Sequence, residues 1–209
     1  MKTYLFDFDG TLVDSMPDWS KKVLRVLEVA GVTPPADILK TLTPLGDTGS
    51  MRYFRQELGV TLTEAQMQTI MDDYALPAYR DRIAAKPFVI ETLHRLQAQG
   101  HSLNVLTASP HQMLDPCLHR LGLFDLFDRI WSCEDFAMTK VQPQIYHAAA
   151  REMGVSVGEC LFLDDNIHAL RAAKEAGMQV IGVYDDCSLD FIEEMKQLCH
   201  RYIDTFAQL

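Results

Sequence analysis

The sequence predicts an α/β fold: a parallel sheet with helices, and an all-helical segment inserted after the first strand. Three observations predict it. From residue 88 on, short apolar runs alternate with helical periods, the pattern of strands joined by helical crossovers. Most of the runs are short and apolar, as in strands covered on both faces. Residues 15–85 carry helical periods and no strand pattern, and a stretch of that length is too long for a loop.

Taken in order, Tyr4-Leu5-Phe6 is the first strand candidate. In the insert, Trp19, Val23, Val26, Leu27 and Ala30 share one helical face, broken by Gly31 and Pro34-Pro35. Gly46-Asp47-Thr48-Gly49-Ser50 reads as a mobile loop. Met51, Phe54 and Leu58 form a second stripe ending at Gly59, and Met67, Ile70, Met71 and Tyr74 a third ending near Pro77. Val89, Leu93 and Leu96 then mark a helix stopped by Gly100. Ser102 to Leu106 alternates as a strand, and Ser109-Pro110 offers an N-cap and a first-turn proline for a helix running to Gly122. Ile130-Trp131 is a strand, and Pro143 opens a helix ending at Gly154. Cys160 to Leu163 and Val180 to Val183 are strands, with a helix between them ending at Gly177. Leu189, Ile192, Met195, Cys199, Tyr202 and Phe206 read as one long final helix. The predicted division is residues 1–14 and 86–209 for the α/β core and 15–85 for a helical cap.

Composition narrows the function. The 209 residues hold 19 Lys and Arg against 29 Asp and Glu, a formal charge of −10, which argues against nucleic acid as a partner. Hydrophobic residues make up 48%, enough for a core without staples. No run reaches the ~18 apolar residues of a membrane span, and the N-terminus lacks the apolar region of a signal peptide. Five scattered cysteines without a Cys-x-x-Cys fit reduced, mostly buried thiols. A cytoplasmic protein with no membrane partner is expected.

Chemistry concentrates in four places. Asp7-Phe8-Asp9-Gly10-Thr11 follows the first strand directly, where open α/β sheets bind ligands. Residues two apart on extended backbone point the same way, so Asp7 and Asp9 converge. Their repulsion needs a cation, a shared proton or a division of roles. An oxygen-rich site of this kind suits Mg²⁺. Thr107-Ala108-Ser109-Pro110 joins a strand to a helix start, where a hydroxyl and backbone N–H groups can cradle a phosphate. Lys140 is the only lysine between Lys86 and Lys174 and can neutralise a carboxylate or hold a phosphate as a point charge. Asp164-Asp165-Asn166 ends an apolar strand; two adjacent acids there fit a metal better than a helix cap. Alone, the second and third places read as an ordinary helix cap and an exposed lysine.

In this order and spacing the four places resemble the motifs of the haloacid dehalogenase-like hydrolases, over the whole chain. The stretch from Asp7 to Asp18 looks especially like the phosphoglycolate phosphatase-like branch. The resemblance implies a Rossmann-like parallel sheet core with a helical cap inserted after the first strand. It implies a Mg²⁺-dependent phosphatase acting on a small phosphorylated metabolite. Asp7 would attack phosphorus and form an aspartyl-phosphate; Asp9 would protonate the leaving oxygen and then activate water. Thr107, Ala108 and Lys140 would bind the phosphoryl oxygens. Asp7, the backbone carbonyl of Asp9 and Asp165 would hold Mg²⁺, with Asp164 nearby. Three positions depart from the family pattern: Val141 follows Lys140 where proline is common, Asp164-Asp165 stands for Gly-Asp, and Pro87-Phe88 stands for Pro-Gly. A side chain enters glycine-only backbone regions at a cost, so Phe88 predicts a different hinge.

The same residues weigh the rivals. Dehalogenases of the superfamily typically lack the second aspartate, present here as Asp9. A phosphomutase is expected to carry a histidine where this chain has Trp19. A phosphonatase needs a cap lysine for its Schiff base; Lys21 and Lys22 fall in that region and read as surface lysines. A signalling receiver domain carries its phosphorylated aspartate mid-sequence. A catalytically silent binding or regulatory member would be signalled by loss of Asp7 or Asp9. Arg52, Arg55, Arg80 and Arg82 offer cations to an acidic substrate, although a solvated face is the ordinary fate of each.

Overall fold

A computed structural model describes residues 1–209, with Pro44 as backbone only. The chain forms two compact units: Met1–Asp14 with Ile83–Leu209, and Ser15–Arg82. Residues 83–85, placed with the helices in the sequence reading, go with the sheet. The Asp14 N–H donates to the Ala84 carbonyl, and Val13 bridges Ala85.

The first unit opens with β1 (Thr3–Phe6), buried along its length. The second unit follows, with α1 (Met16–Val29), α2 (Ile38–Leu42), α3 (Gly46–Gln56) and α4 (Glu64–Asp81). The first unit then resumes with α5 (Val89–Ala98), β2 (Ser102–Thr107), α6 (His111–Leu121), β3 (Arg129–Ser132), α7 (Pro143–Met153), β4 (Cys160–Asp164), α8 (Ile167–Glu175), β5 (Gln179–Val183), α9 (Ile192–Leu198) and β6 (Arg201–Ile203). The strands form one parallel sheet in the order β3-β2-β1-β4-β5-β6. The order reverses between β1 and β4, where Phe6 sits opposite Leu163 and the Asp7 N–H donates to the Leu163 carbonyl at 2.9 Å. Ligands of such sheets bind at the carboxyl ends of the strands at this reversal.

The first unit's core packs Leu5, Leu106, Tyr146 and Phe162 with Ile145, Ala149, Leu170 and Ala173 of α7 and α8. The helical unit has its own core: Val23, Val26 and Leu27 meet Ile38, Leu42, Met51, Phe54, Met67 and Met71. The stripes read from the sequence supply most of it, because a helix without a sheet must bury its apolar face on other helices.

Several expectations fail locally. Residues 46–50 are the first turns of α3, with Ser50 and Met51 buried, and not a loop. The third stripe does not stop at Pro77; α4 runs through it to Asp81, with Ala78 and Tyr79 buried beyond it. The long final helix is four pieces: a 3-10 segment at Asp186–Phe191, α9, the edge strand β6, and a 3-10 turn at Phe206–Gln208. Cys199 is extended, and His200 ties to β5 instead, its N–H donating to the Val180 carbonyl at 3.0 Å. Tyr202 then lies over Gly182, where an added Cβ would meet its ring at 2.8 Å. Ser109 does not cap α6; Pro110 occupies the cap position. Phe88 keeps the glycine conformation, with φ 66°, and is exposed. Its backbone thus stays in the left-handed region at a cost of about 1–2 kcal/mol. All five cysteines are free; Cys117, Cys133 and Cys160 are buried. Among the described residues no helix is long and apolar enough to cross a membrane.

Candidate active site

Every carboxylate predicted for the site comes from the end of β1 or β4. Asp7 is the first residue beyond β1, Asp164 the last of β4, and Asp165 follows it. All three are buried, and one oxygen from each lies within 4.8 Å of the others. Lys140 reaches them from the segment before α7. Its ammonium lies 2.8 Å from Asp164 Oδ2, to which it donates, and 2.6 Å from Asp7 Oδ1. The second approach is off the line of a hydrogen bond: the buried Asp7 Oδ1 has no donor among the described residues. With all three carboxyls ionised, one ammonium leaves two negative charges uncompensated.

The pKa directions follow from this crowding. Burial pushes the Asp7 carboxyl well above its ordinary range; Lys140 opposes this, and Asp164, Asp165 and Asp9 add to it. Burial raises Asp164 as well, against Lys140. Asp165 is pushed up to about 8 by burial, with Asp164 and Asp185 adding. Burial works against the charge on Lys140, yet Asp164 and Asp7 outweigh it and hold that pKa well above the usual lysine value. A buried cluster with surplus negative charge, in which Asp7 Oδ1 has an ion pair but no hydrogen bond, is matched to a small divalent cation. An all-oxygen donor set is that of Mg²⁺ rather than of a softer metal.

Asp9 does not share the carboxylate cluster. Its Oδ2 accepts from Ser109 Oγ at 2.6 Å and, less closely, from Thr107 Oγ1 at 3.4 Å. The second motif therefore touches the first through hydroxyls. The Thr107 oxygen also accepts from the Ser109 N–H at 3.1 Å, which turns the chain out of β2. Thr107 is buried and Ala108 exposed, both at the carboxyl end of β2.

Around these residues lies a supporting set that the sequence reading left out. Thr11 Oγ1 donates to Asp165 Oδ1 at 3.0 Å. The Asn166 N–H donates to Asp164 Oδ1 at 2.7 Å, while the Asn166 side chain caps α8. Tyr146 Oη lies 2.7 Å from the Lys140 carbonyl and 3.0 Å from that of Ala169, which anchors the lysine's segment to α8. Gly10, at φ 74°, passes so close to Asp165 that a Cβ there would fall 2.6 Å from Oδ2. Gly10 and Thr11 belong to the first motif, Ser109 to the second and Asn166 to the fourth, but their contacts, like the place of Tyr146, depend on register across distant segments.

In the helical unit, Lys22 is no surface lysine. It is buried and donates to Asp47 Oδ2 at 2.6 Å, while the Trp19 indole N–H donates to Asp47 Oδ1 at 2.9 Å. Three of the four arginines are paired: Arg55 with Glu64, Arg80 with Asp81 and Arg82 with Asp18. Arg52 and Arg55 line a cleft of about 520 Å³ with Gly59 and Thr61.

The chain matches the haloacid dehalogenase-like hydrolase family over residues 1–177. It is 30% identical to hexitol phosphatase B of Escherichia coli K12 over 187 residues, covering 86% of this chain and 82% of that one. It is 28% identical to a phosphoglycolate phosphatase of Pseudomonas putida, covering 86% and 68%. Among solved structures, CbbY from Rhodobacter sphaeroides in complex with phosphate superimposes with a TM-score of 0.86 at 23% identity, over all of this chain and 96% of the other.

Proposed function

For a chain that belongs to the haloacid dehalogenase-like hydrolases, we propose a Mg²⁺-dependent phosphatase that hydrolyses a small phosphorylated metabolite through an aspartyl-phosphate on Asp7. One observation carries the reading: Asp7, Asp164 and Asp165 converge in one buried cluster beside Lys140, and Asp9 stands apart on Ser109 and Thr107. The relatives named for hexitol phosphates and for phosphoglycolate support a small phosphate ester as substrate.

The residues divide the work. An Asp7 oxygen forms the new bond to phosphorus as the ester P–O bond breaks, and protonated Asp9 gives its proton to the leaving oxygen. Asp9, now a carboxylate, takes a proton from water; that water attacks phosphorus, and the bond to Asp7 breaks to regenerate the nucleophile. Ser109 and Thr107 hold Asp9 at the distance this exchange needs. Lys140 places positive charge beside Asp7, where a phosphoryl oxygen develops charge. Asp7, Asp165 and the Asp9 carbonyl would hold Mg²⁺, which would supply further charge neutralisation. Asp164 spends both oxygens on Lys140 and Asn166, whereas Asp165 spends one on Thr11, which favours Asp165 as the direct ligand. A Schiff-base reading for Lys22 has less support, since its ammonium is bound to Asp47.

The test is phosphate release from p-nitrophenyl phosphate and from a panel of two- to six-carbon phosphate esters, with and without Mg²⁺. Activity that needs Mg²⁺ and falls at least about a thousandfold in Asp7→Asn is expected. Equal rates for Asp7→Asn and the unaltered chain would sink the mechanism.

A further inference from the structure

Lys86 belongs to none of the four motifs, yet it is two residues from the strained Phe88 and is largely buried, with its side chain 15% exposed. Its ammonium has three acceptors: the Gly10 carbonyl at 2.7 Å, the Tyr184 carbonyl at 2.5 Å and Asp185 Oδ2 at 3.1 Å. An ammonium has three hydrogens, so none remains for a substrate. The Lys86 backbone grips the same loop, its N–H donating to the Leu12 carbonyl at 2.9 Å.

The placement of these acceptors matters. Gly10 lies beyond β1 and Tyr184-Asp185 lie beyond β5, and β4 runs between those strands in the sheet. Lys86 therefore ties together the two loops that flank the end of β4, where Asp165 stands. The Gly10 loop touches Asp165 directly, through the close approach of Gly10 and the hydroxyl of Thr11. Asp185, itself buried, supplies the countercharge, so the tie brings no net charge to the carboxylate cluster.

The geometry points to Lys86 as a positioning residue for the divalent cation: it clamps the β1 and β5 loops and so fixes Asp165 and the Asp9-Gly10 backbone at the spacing that the ion needs. The inference rests on the reaction proposed above and adds a residue to it. Charge and clamp make opposite demands. If Lys86 acted only through its charge, removing it would strengthen binding of a cation to nearby carboxylates. If it acts as a clamp, removing it loosens the donor set and weakens binding.

The experiment is titration with Mg²⁺ alone, read by calorimetry and by the shift in thermal midpoint, on the unaltered chain and three variants. Lys86→Met removes the clamp. Lys86→Met with Asp185→Asn removes it at constant net charge. Asp185→Asn alone keeps the bonds to Gly10 and Tyr184. Mg²⁺ affinity is expected to fall about tenfold in the first two and less than threefold in the third. A loss under threefold, or tighter binding, in the folded double variant overturns the clamp. Should that variant not fold, Lys86→Gln is read by the same threshold. An unaltered chain that binds Mg²⁺ yet hydrolyses no phosphate ester defeats the proposed reaction and leaves the clamp standing. An active chain whose double variant binds Mg²⁺ undiminished does the reverse.

Discussion

Lys22 in the helical unit is buried and Lys140 in the sheet unit largely so, and both would pass for solvated lysines in the sequence. Lys22 faces one carboxylate, Asp47, which is a third exposed and also takes the Trp19 indole. That pair is balanced and closed, as a structural pair should be. Lys140 faces two carboxylates while a third stands close by, and one carboxylate oxygen has no donor. With its three carboxyls ionised, that cluster is unbalanced by two negative charges. Burying unpaired charge costs several kcal/mol, so a fold keeps it only where something else completes it. Charge balance, more than burial, separates the pocket from the packing.

Breaking each pair tests the contrast. Lys140→Met leaves Asp7 and Asp164 facing each other without a cation and removes the positive charge beside the nucleophile. Turnover of p-nitrophenyl phosphate at saturating Mg²⁺ is expected to fall about a thousandfold. A loss under tenfold would place Lys140 with Lys22 as a structural residue. Lys22→Met strands one partly exposed carboxylate and should cost about 1–3 kcal/mol, a drop of roughly 3–8 °C in thermal midpoint. Lys22→Met with Asp47→Leu should recover more than half of that. A double variant as unstable as the single would show that the pair is not coupled.

Asp165→Asn sharpens the contrast from the other side. Its folded pKa, about 8, lies above the ordinary carboxylate value. The metal-free fold therefore loses stability as pH rises from about 4 to 8. Asp165→Asn should reduce that slope, leaving the share of Asp7 and Asp164, and raise the metal-free midpoint at pH 8 by roughly 2–6 °C, while abolishing the rise that Mg²⁺ produces. A lower midpoint in metal-free Asp165→Asn would mean that the carboxylate is satisfied by the protein alone.

The smallest effect belongs to His111. Its ring lies 2.9 Å from Asp115 Oδ1 on its own helix and 2.9 Å from Asp135 Oδ2 after β3. The hydrogen bond to Asp115 raises its pKa, burial opposes, and Asp135 adds. A raised folded value means that the stabilisation is complete below the unfolded value of ~6.5 and is lost as pH rises through the folded one. All three side chains are about two-fifths exposed, so solvent screens the gain. His111→Asn should erase a decline of about 1–2 °C in midpoint on raising pH from 6 to 9. Identical pH profiles for the two proteins would remove the imidazolium from the account.

The legible parts of the molecule were those where one residue's type and its place on an element coincide. Asp7, Asp164 and Asp165 sit at strand ends that apolar runs mark, and Lys140 stands alone in its span. Lys86, Thr11 and Tyr146 were illegible because their partners are carbonyls or carboxylates far along the chain, and a carbonyl carries no residue type to read. β6 was illegible for a different reason: Cys199, Tyr202 and Phe206 fit a helical period, and only the pairing of Arg201, Tyr202 and Ile203 with β5 decides otherwise. Phe88 sits in the left-handed backbone region that glycine favours, which its residue type gave no reason to expect.

The insertion between Asp14 and Ile83 also sets the order of assembly. The strand that delivers Asp7 is made first, yet its two neighbours are residues 102–105 and 160–163. The helical unit packs on contacts much closer in sequence, so it can form while Tyr4-Leu5-Phe6 still has no strand beside it. During synthesis, then, the most buried strand of the finished protein is its longest-waiting sticky end.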